Sequence, residues 1–220
     1  MSITANVYQL KNSLVPINHL PPELLTLVPT FRESERDLIN ATAVCRRWGT
    51  TFVSTPNLWT NIVCSEKAKP EAIIPHVRTY LKRSGAVPVS VQIPAHASRL
   101  LSSSTGRISS LRMFLGHQSC FTEIVKYFSK PAPLLEAMSL HVTDCGPTNL
   151  ALPPTLFEEI LPSVKMLAIY GSTLSPGPYE FSQLTVFILE TPAIFSVPSA
   201  ALLDTLERMP LLQYFRARLY

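Results

Sequence analysis

Charge is the scarcest ingredient of this 220-residue chain: charged residues make up 15% of it, against about 25% in ordinary globular domains. The 19 basic and 15 acidic residues leave a formal net charge of +4, spread along the chain without a run of five basic residues. That argues against a nucleic-acid or membrane-surface binder, which needs a dense cationic footprint. Basic pairs such as Arg46-Arg47 and Lys82-Arg83 read as solvated helix edges. Paired cysteines are missing as well: Cys45, Cys64, Cys120 and Cys145 show no disulfide-framework spacing. The start, MSITANVYQLKN, lacks the basic and then apolar stretches of a secretory signal. No stretch reaches the ~18 apolar residues of a membrane span. An intracellular protein with reduced thiols, cytoplasmic or nuclear, is the expectation, and the Asn40-Ala41-Thr42 sequon then carries no weight.

The common catalytic motifs are absent too. No G-x-S-x-G, S-x-x-K or H-E-x-x-H occurs. The stretch Gly171 to Gly177 has no lysine after it and cannot cradle phosphate as a P-loop does. Glu158 and Glu159 have no matched acid–base partner in the sequence. The one set of residues with metal-ligand chemistry is His117-x2-Cys120 followed by His141-x3-Cys145. Those four would hold zinc if the two pairs converged. The alternative is that each pair flanks a strand of a different repeat and the two never meet, so no metal and no cofactor are expected. His19, His76 and His96 stand alone.

Hydrophobic residues, in contrast, reach 46%. The chain can fill a core of one large or two small domains, and it has too little charge to be disordered. A thinly charged surface also implies apolar area covered by a partner.

The most informative segment runs from 17 to 62, INHLPPELLTLVPTFRESERDLINATAVCRRWGTTFVSTPNLWTNI. Pro21 and Pro22 suit the first turn of a helix, where a missing donor does no harm. Glu23 suits the positive end of its dipole. Leu24, Leu25 and Val28 give that helix an apolar face, and Pro29 ends it. A second helical stretch opens at Ser34 or Asp37 and carries Leu38, Ala41, Cys45, Trp48 and Phe52 at alternating intervals of three and four, a buried stripe. Gly49 is the expected break that splits this stretch in two. Pro56 stops it, and Leu58-Trp59 follows as an apolar anchor.

The order Leu-Pro-Pro-Glu-Leu-Leu, Asp-Leu-Ile-Asn, Val-Cys-Arg-Arg-Trp, Pro-Asn-Leu-Trp resembles an F-box, the helical module that docks a protein onto a Skp-type adaptor of a cullin–RING ubiquitin ligase. Pro29 stands where most F-boxes carry a large apolar residue. The resemblance implies an adaptor-binding set of Leu20, Pro21, Glu23, Leu24, Leu25, Leu38, Val44, Cys45, Trp48, Leu58 and Trp59. It further implies a non-catalytic subunit that brings an unknown protein substrate to the ligase, with neither nucleic acid nor membrane among its partners. A scaffold that uses the adaptor without ubiquitin transfer is the alternative, followed by a zinc-binding or hydrolytic protein.

From residue 85 onward short apolar runs recur: Ile108-Leu111-Met113, Leu135-Met138-Leu140, Val164-Leu167-Ile169, Leu184-Phe187-Leu189 and Leu212-Phe215-Ala217. Their spacings of 27, 29, 20 and 28 residues match the period of leucine-rich repeats, in which a short strand alternates with a helix or loop. Val87 to Val91 is expected to start the array. Helical returns are expected at Phe121 to Phe128 and at Ser199 to Arg208, the latter with Ala200, Leu203 and Leu206 on one side. The 20 prolines punctuate the loops. Such an array resembles the region after the F-box in large fungal families of F-box proteins. A mixed α/β domain without true repeats is the alternative.

The expected fold is therefore α+β or α/β, with an N-terminal extension at 1–16, a helical F-box at 17–62 and a linker helix region at 63–84. An irregular leucine-rich-repeat-like solenoid follows at 85–220. The last strand, near Tyr214 and Phe215, has no polar cap, so further repeats or a covering partner are expected there.

Overall fold

The computed structural model describes residues 7, 10–11, 14–31, 35–116, 120–143, 150–151, 157, 163–171, 174–175, 181–191 and 199–219. The chain divides into two compact units, Met1–Thr60 with Tyr80–Val87 and Asn61–Thr79 with Pro88–Tyr220.

The first unit is built on helices α1 (Pro22–Leu25), α2 (Glu35–Ala43) and α3 (Arg46–Val53). Pro22 opens α1 and Glu23 stands in its first turn, as the missing proline donor and the helix dipole favour. The helix stops at Leu25, ahead of Pro29, which is buried in the 3₁₀ turn Val28–Phe31. The apolar stripe holds across α2 and α3: Leu38 and Phe52 are fully buried and Trp48 is 8% exposed, with Ala41 and Cys45 half-buried.

The break between these helices is not where the glycine suggests. It falls between Ala43 and Arg46, where Cys45 takes an extended conformation at φ −157° and ψ 169°. Gly49 lies inside α3, and a Cβ there would stand 2.7 Å from the Thr42 carbonyl oxygen of α2. Glycine is needed for close helix approach, not for a bend. Gly49→Ala is therefore expected to destabilise this unit by about 1–2 kcal/mol, the overpacking penalty outweighing the ~1 kcal/mol gain in helix propensity. Chemical denaturation of the full chain measures it, and a midpoint equal to the parent's would show that the two helices separate freely.

The second unit is a seven-stranded parallel sheet. Its strands are β1 (Asn61–Val63), β2 (Val89–Pro94), β3 (Ile108–Leu115), β4 (Ala137–Val142), β6 (Met166–Tyr170), β8 (Val186–Thr191) and β9 (Tyr214–Leu219), in that spatial order. Two-residue strands β5 (Leu150–Ala151) and β7 (Leu174–Ser175) pair separately. Helix α4 (Pro70–Arg83) precedes β2, with its final residues from Tyr80 belonging to the first unit; α5 (Cys120–Tyr127) follows β3 and α6 (Ser199–Glu207) follows β8.

Every apolar run of the second half falls on a strand or its approach. The register aligns Leu111, Met138, Leu167, Phe187 and Phe215 across β3, β4, β6, β8 and β9. Leu111, Met138, Leu167 and Phe187 are buried, and Phe187 and Phe215 stack with centroids 5.6 Å apart. Just before each strand the backbone repeats one hydrogen bond: Glu136 N–H to Ser109 O, Lys165 to Glu136, Thr185 to Lys165 and Gln213 to Thr185, each at 2.8–2.9 Å. The sequence intervals therefore correspond to one structural step per strand.

In α6, Leu203 is 60% exposed and Leu206 half-buried, while among the described side chains of this stretch Thr205 and Met209 are buried, so the side that Leu203 and Leu206 share does not as a whole face the core. Asn61–Val63 is a strand paired with β2.

Candidate functional site

The chemistry of the first unit is that of packing. Trp59 is fully buried. Its Nε1–H donates to the Phe52 carbonyl at 2.8 Å, Tyr80 meets it edge-on at 5.0 Å, and the Arg83 guanidinium sits 4.2 Å from its ring centroid. Trp48 meets Phe52 edge-on at 5.4 Å, and its Nε1–H donates to Asn18 Oδ1 at 2.7 Å. Both indoles thus satisfy their donor while filling the core, as buried tryptophans must.

Beside Trp48, Arg47 uses both terminal nitrogens. Its Nη1 donates to the Asn18 carbonyl and its Nη2 to the Leu20 carbonyl. One turn of α3 therefore clamps the segment 18–20 through three hydrogen bonds, two of them from a charged donor and so among the stronger kinds. That fixes the approach to Pro21 and α1. Sequence reading took Arg47 as a solvated edge and did not single out Asn18. The adjacency of a planar five-donor fork and a tryptophan was the available signal.

The eleven residues assigned to adaptor binding sort by exposure. Pro21, Glu23, Leu24 and Val44 are exposed, with Leu24 at 49% and Val44 at 58%. Leu20 and Cys45 are half-buried. Leu25, Leu38, Trp48, Leu58 and Trp59 are buried and support the unit from within. Further large apolar side chains that the sequence did not single out are exposed on the helical part of this unit, Leu27, Ile39 and Val53 among them, and Val7, Leu10, Leu14, Val15 and Ile17 are exposed ahead of it. Ile39 and Val53 each follow a buried residue on a helix, Leu38 and Phe52, so a helical-wheel count could have found them.

In the second unit, His141 is the one zinc candidate whose side chain is described. His117 and Cys145 lie outside the described residues, and Cys120 is described only as the first residue of α5. Among the described residues no cluster of three or more possible metal ligands occurs. His141 instead stacks on Tyr170 at 4.3 Å, meets Phe114 at 5.2 Å and shares a hydrogen bond with Ser139 Oγ at 3.0 Å. Burial, aided by the Arg112 charge, holds its imidazolium below the usual histidine range against the opposite pull of Glu66 and Glu190, so the ring is neutral near pH 7. The sheet's inner side holds a void of about 10 Å³ lined by Leu111, Met113, Ile124, Phe128, Met138, Leu140 and Phe157, room for one water at most and without a polar partner for it. Glu158, Glu159 and Gly177 lie outside the described residues, and no described helix is long and apolar enough to cross a membrane.

Residues 17–65 match the model of a family described as F-box-like, so the chain carries an F-box-like domain over the helical segment just described. No curated protein matches the chain.

Proposed function

We propose that this chain is a non-catalytic substrate-recognition subunit of a Skp–cullin–F-box ubiquitin ligase. The observation that carries the proposal is the F-box-like match at 17–65, on a helical unit that leaves Leu24 and Val44 exposed. F-box domains bind Skp-type adaptors. On this reading Pro21, Glu23, Leu24 and Val44 touch the adaptor and Leu20 and Cys45 flank them. Leu25, Leu38, Trp48, Leu58 and Trp59 hold the docking surface in shape. The finer reading of the second unit is an irregular leucine-rich-repeat solenoid, supported by parallel strands that follow one another in sequence and space and by the repeated hydrogen bond before each strand. That solenoid presents the protein substrate, and the protein works inside the cell, in cytoplasm or nucleus. No residue of the chain transfers ubiquitin. The rate gain is one of effective concentration, with a substrate held where a conjugating enzyme can reach it.

Calorimetric titration of the full chain with a purified Skp-type adaptor tests the proposal. Saturable one-to-one binding is expected, and addition of cullin should give a ternary complex in size-exclusion chromatography. Absence of any adaptor binding by folded chain would overturn it. Adaptor binding that excludes cullin would leave a scaffold in its place.

A further inference from the structure

Side chains alternate across a strand, so the sheet that buries Leu111 and Leu167 turns Arg112, His141 and Tyr170 to its other face. Register places Phe114, His141, Tyr170, Glu190 and Arg218 in one row across β3, β4, β6, β8 and β9. The row beside it contains Arg112 and Arg216. The charged side chains described on this face are Arg112, Arg216, Arg218 and Glu190, and the Glu66 carboxylate also acts on His141, so three cations stand against two anions. Glu190, whose side chain is 12% exposed, is paired with Arg216 at 3.2 Å. Arg112 is exposed and held loosely by Gln92 Oε1 at 3.4 Å.

The rings add to this positive bias. His141 and Tyr170 lie nearly parallel, 15° apart at 4.3 Å, so they cover each other's faces and turn edges outward. An aromatic face carries negative potential and an aromatic edge positive. Rings packed in this way on neighbouring strands present an anion with edges, between guanidiniums that match a carboxylate's two oxygens. Arginine and aromatic side chains in a half-desolvated patch are also the residues that dominate protein–protein affinity.

We propose that this face of the sheet, centred on Phe114, His141 and Tyr170 and flanked by Arg112 and Arg216, docks an acidic peptide segment of a partner protein. The proposal rests on reading the second unit as the substrate-binding part. A nucleic acid fits less well: its phosphates seek a dense cationic track, and the arginines of this face are few and interrupted by Glu190.

The test is fluorescence anisotropy of the full chain with a labelled Asp/Glu-rich peptide, its Asn/Gln counterpart, and a single-stranded RNA of equal charge. The acidic peptide should bind, more weakly at higher salt, and the neutral one should not. Arg112→Gln and Arg216→Gln should each weaken binding about tenfold or more. Lys165→Gln, which removes an exposed cation paired with Glu136 at the start of β6, should leave it unchanged. Equal binding of the two peptides, parental affinity in both arginine variants with unchanged circular dichroism, or tighter binding of the RNA would each overturn the proposal. The titration contains no adaptor, so its failure leaves adaptor docking standing, and failure of adaptor docking leaves this result readable.

Discussion

Trp59→Ala is expected to abolish the cooperative melting of the first unit. The side chain is fully buried, and truncating a buried tryptophan costs about 3–5 kcal/mol through lost transfer energy and the cavity left behind. Here the loss has three further parts. Tyr80 loses its edge-on partner at 5.0 Å, Arg83 loses the ring beneath its guanidinium, and the Phe52 carbonyl loses its donor. A small helical unit has a total stability near the lower end of ~5–15 kcal/mol, so most of it goes. Trp59→Phe keeps an aromatic surface but no donor and should recover more than half of the loss. The helical ellipticity of the full chain, followed on heating, is the measurement. A Trp59→Ala protein that melts with the parent would mean that the indole is not the centre of this core.

Trp59 also shows what a sequence can and cannot reveal. That it is buried follows from composition and position, after a proline stop and beside Leu58. That it meets Tyr80 and Arg83, more than twenty residues on, depends on tertiary placement that no local pattern encodes. The strands of the second unit were legible because each apolar run mixes a two-residue period with a fixed approach, and a two-residue period means a strand with one face buried. β1 was not legible: three residues, Asn61, Ile62 and Val63, are too few to show a period.

The helix break was misplaced for a related reason. Glycine reads as a breaker in isolation, whereas Gly49 answers to a neighbouring helix 2.7 Å from where its Cβ would be. The Phe114–His141–Tyr170 row was invisible because its members come from strands separated by long connections, and only register brings them side by side. Spacing alone made His141 one of four possible zinc ligands, beside the reading that the two pairs never meet. In the structure its ring is instead engaged by Tyr170, Phe114 and Ser139.

Exposure separates the apolar residues of the first unit into those that fold it and those left over. Leu24 and Leu25 are neighbours on α1, about 100° apart around the helix, and the structure buries Leu25 completely while leaving Leu24 49% exposed. Val44, in the break between α2 and α3, is 58% exposed. Neither side chain supports the core, so Leu24→Glu and Val44→Glu should each change stability by about 0.5 kcal/mol or less. At position 24 a carboxylate even suits the N-terminal end of the helix. Adaptor binding should respond very differently. Apolar anchors at the centre of an interface carry about 2 kcal/mol or more each, and a glutamate there must also shed its water without a partner. Each variant should therefore bind a Skp-type adaptor about 30-fold more weakly, and the pair together should show no measurable binding. Parallel titration and melting of Leu24→Glu, Val44→Glu and Trp48→Ala distinguish the two ways of losing affinity. The first two should keep the parental melt and lose the adaptor, while Trp48→Ala loses both because its unit unfolds. Parental affinity in both glutamate variants would move the docking surface elsewhere on the helices.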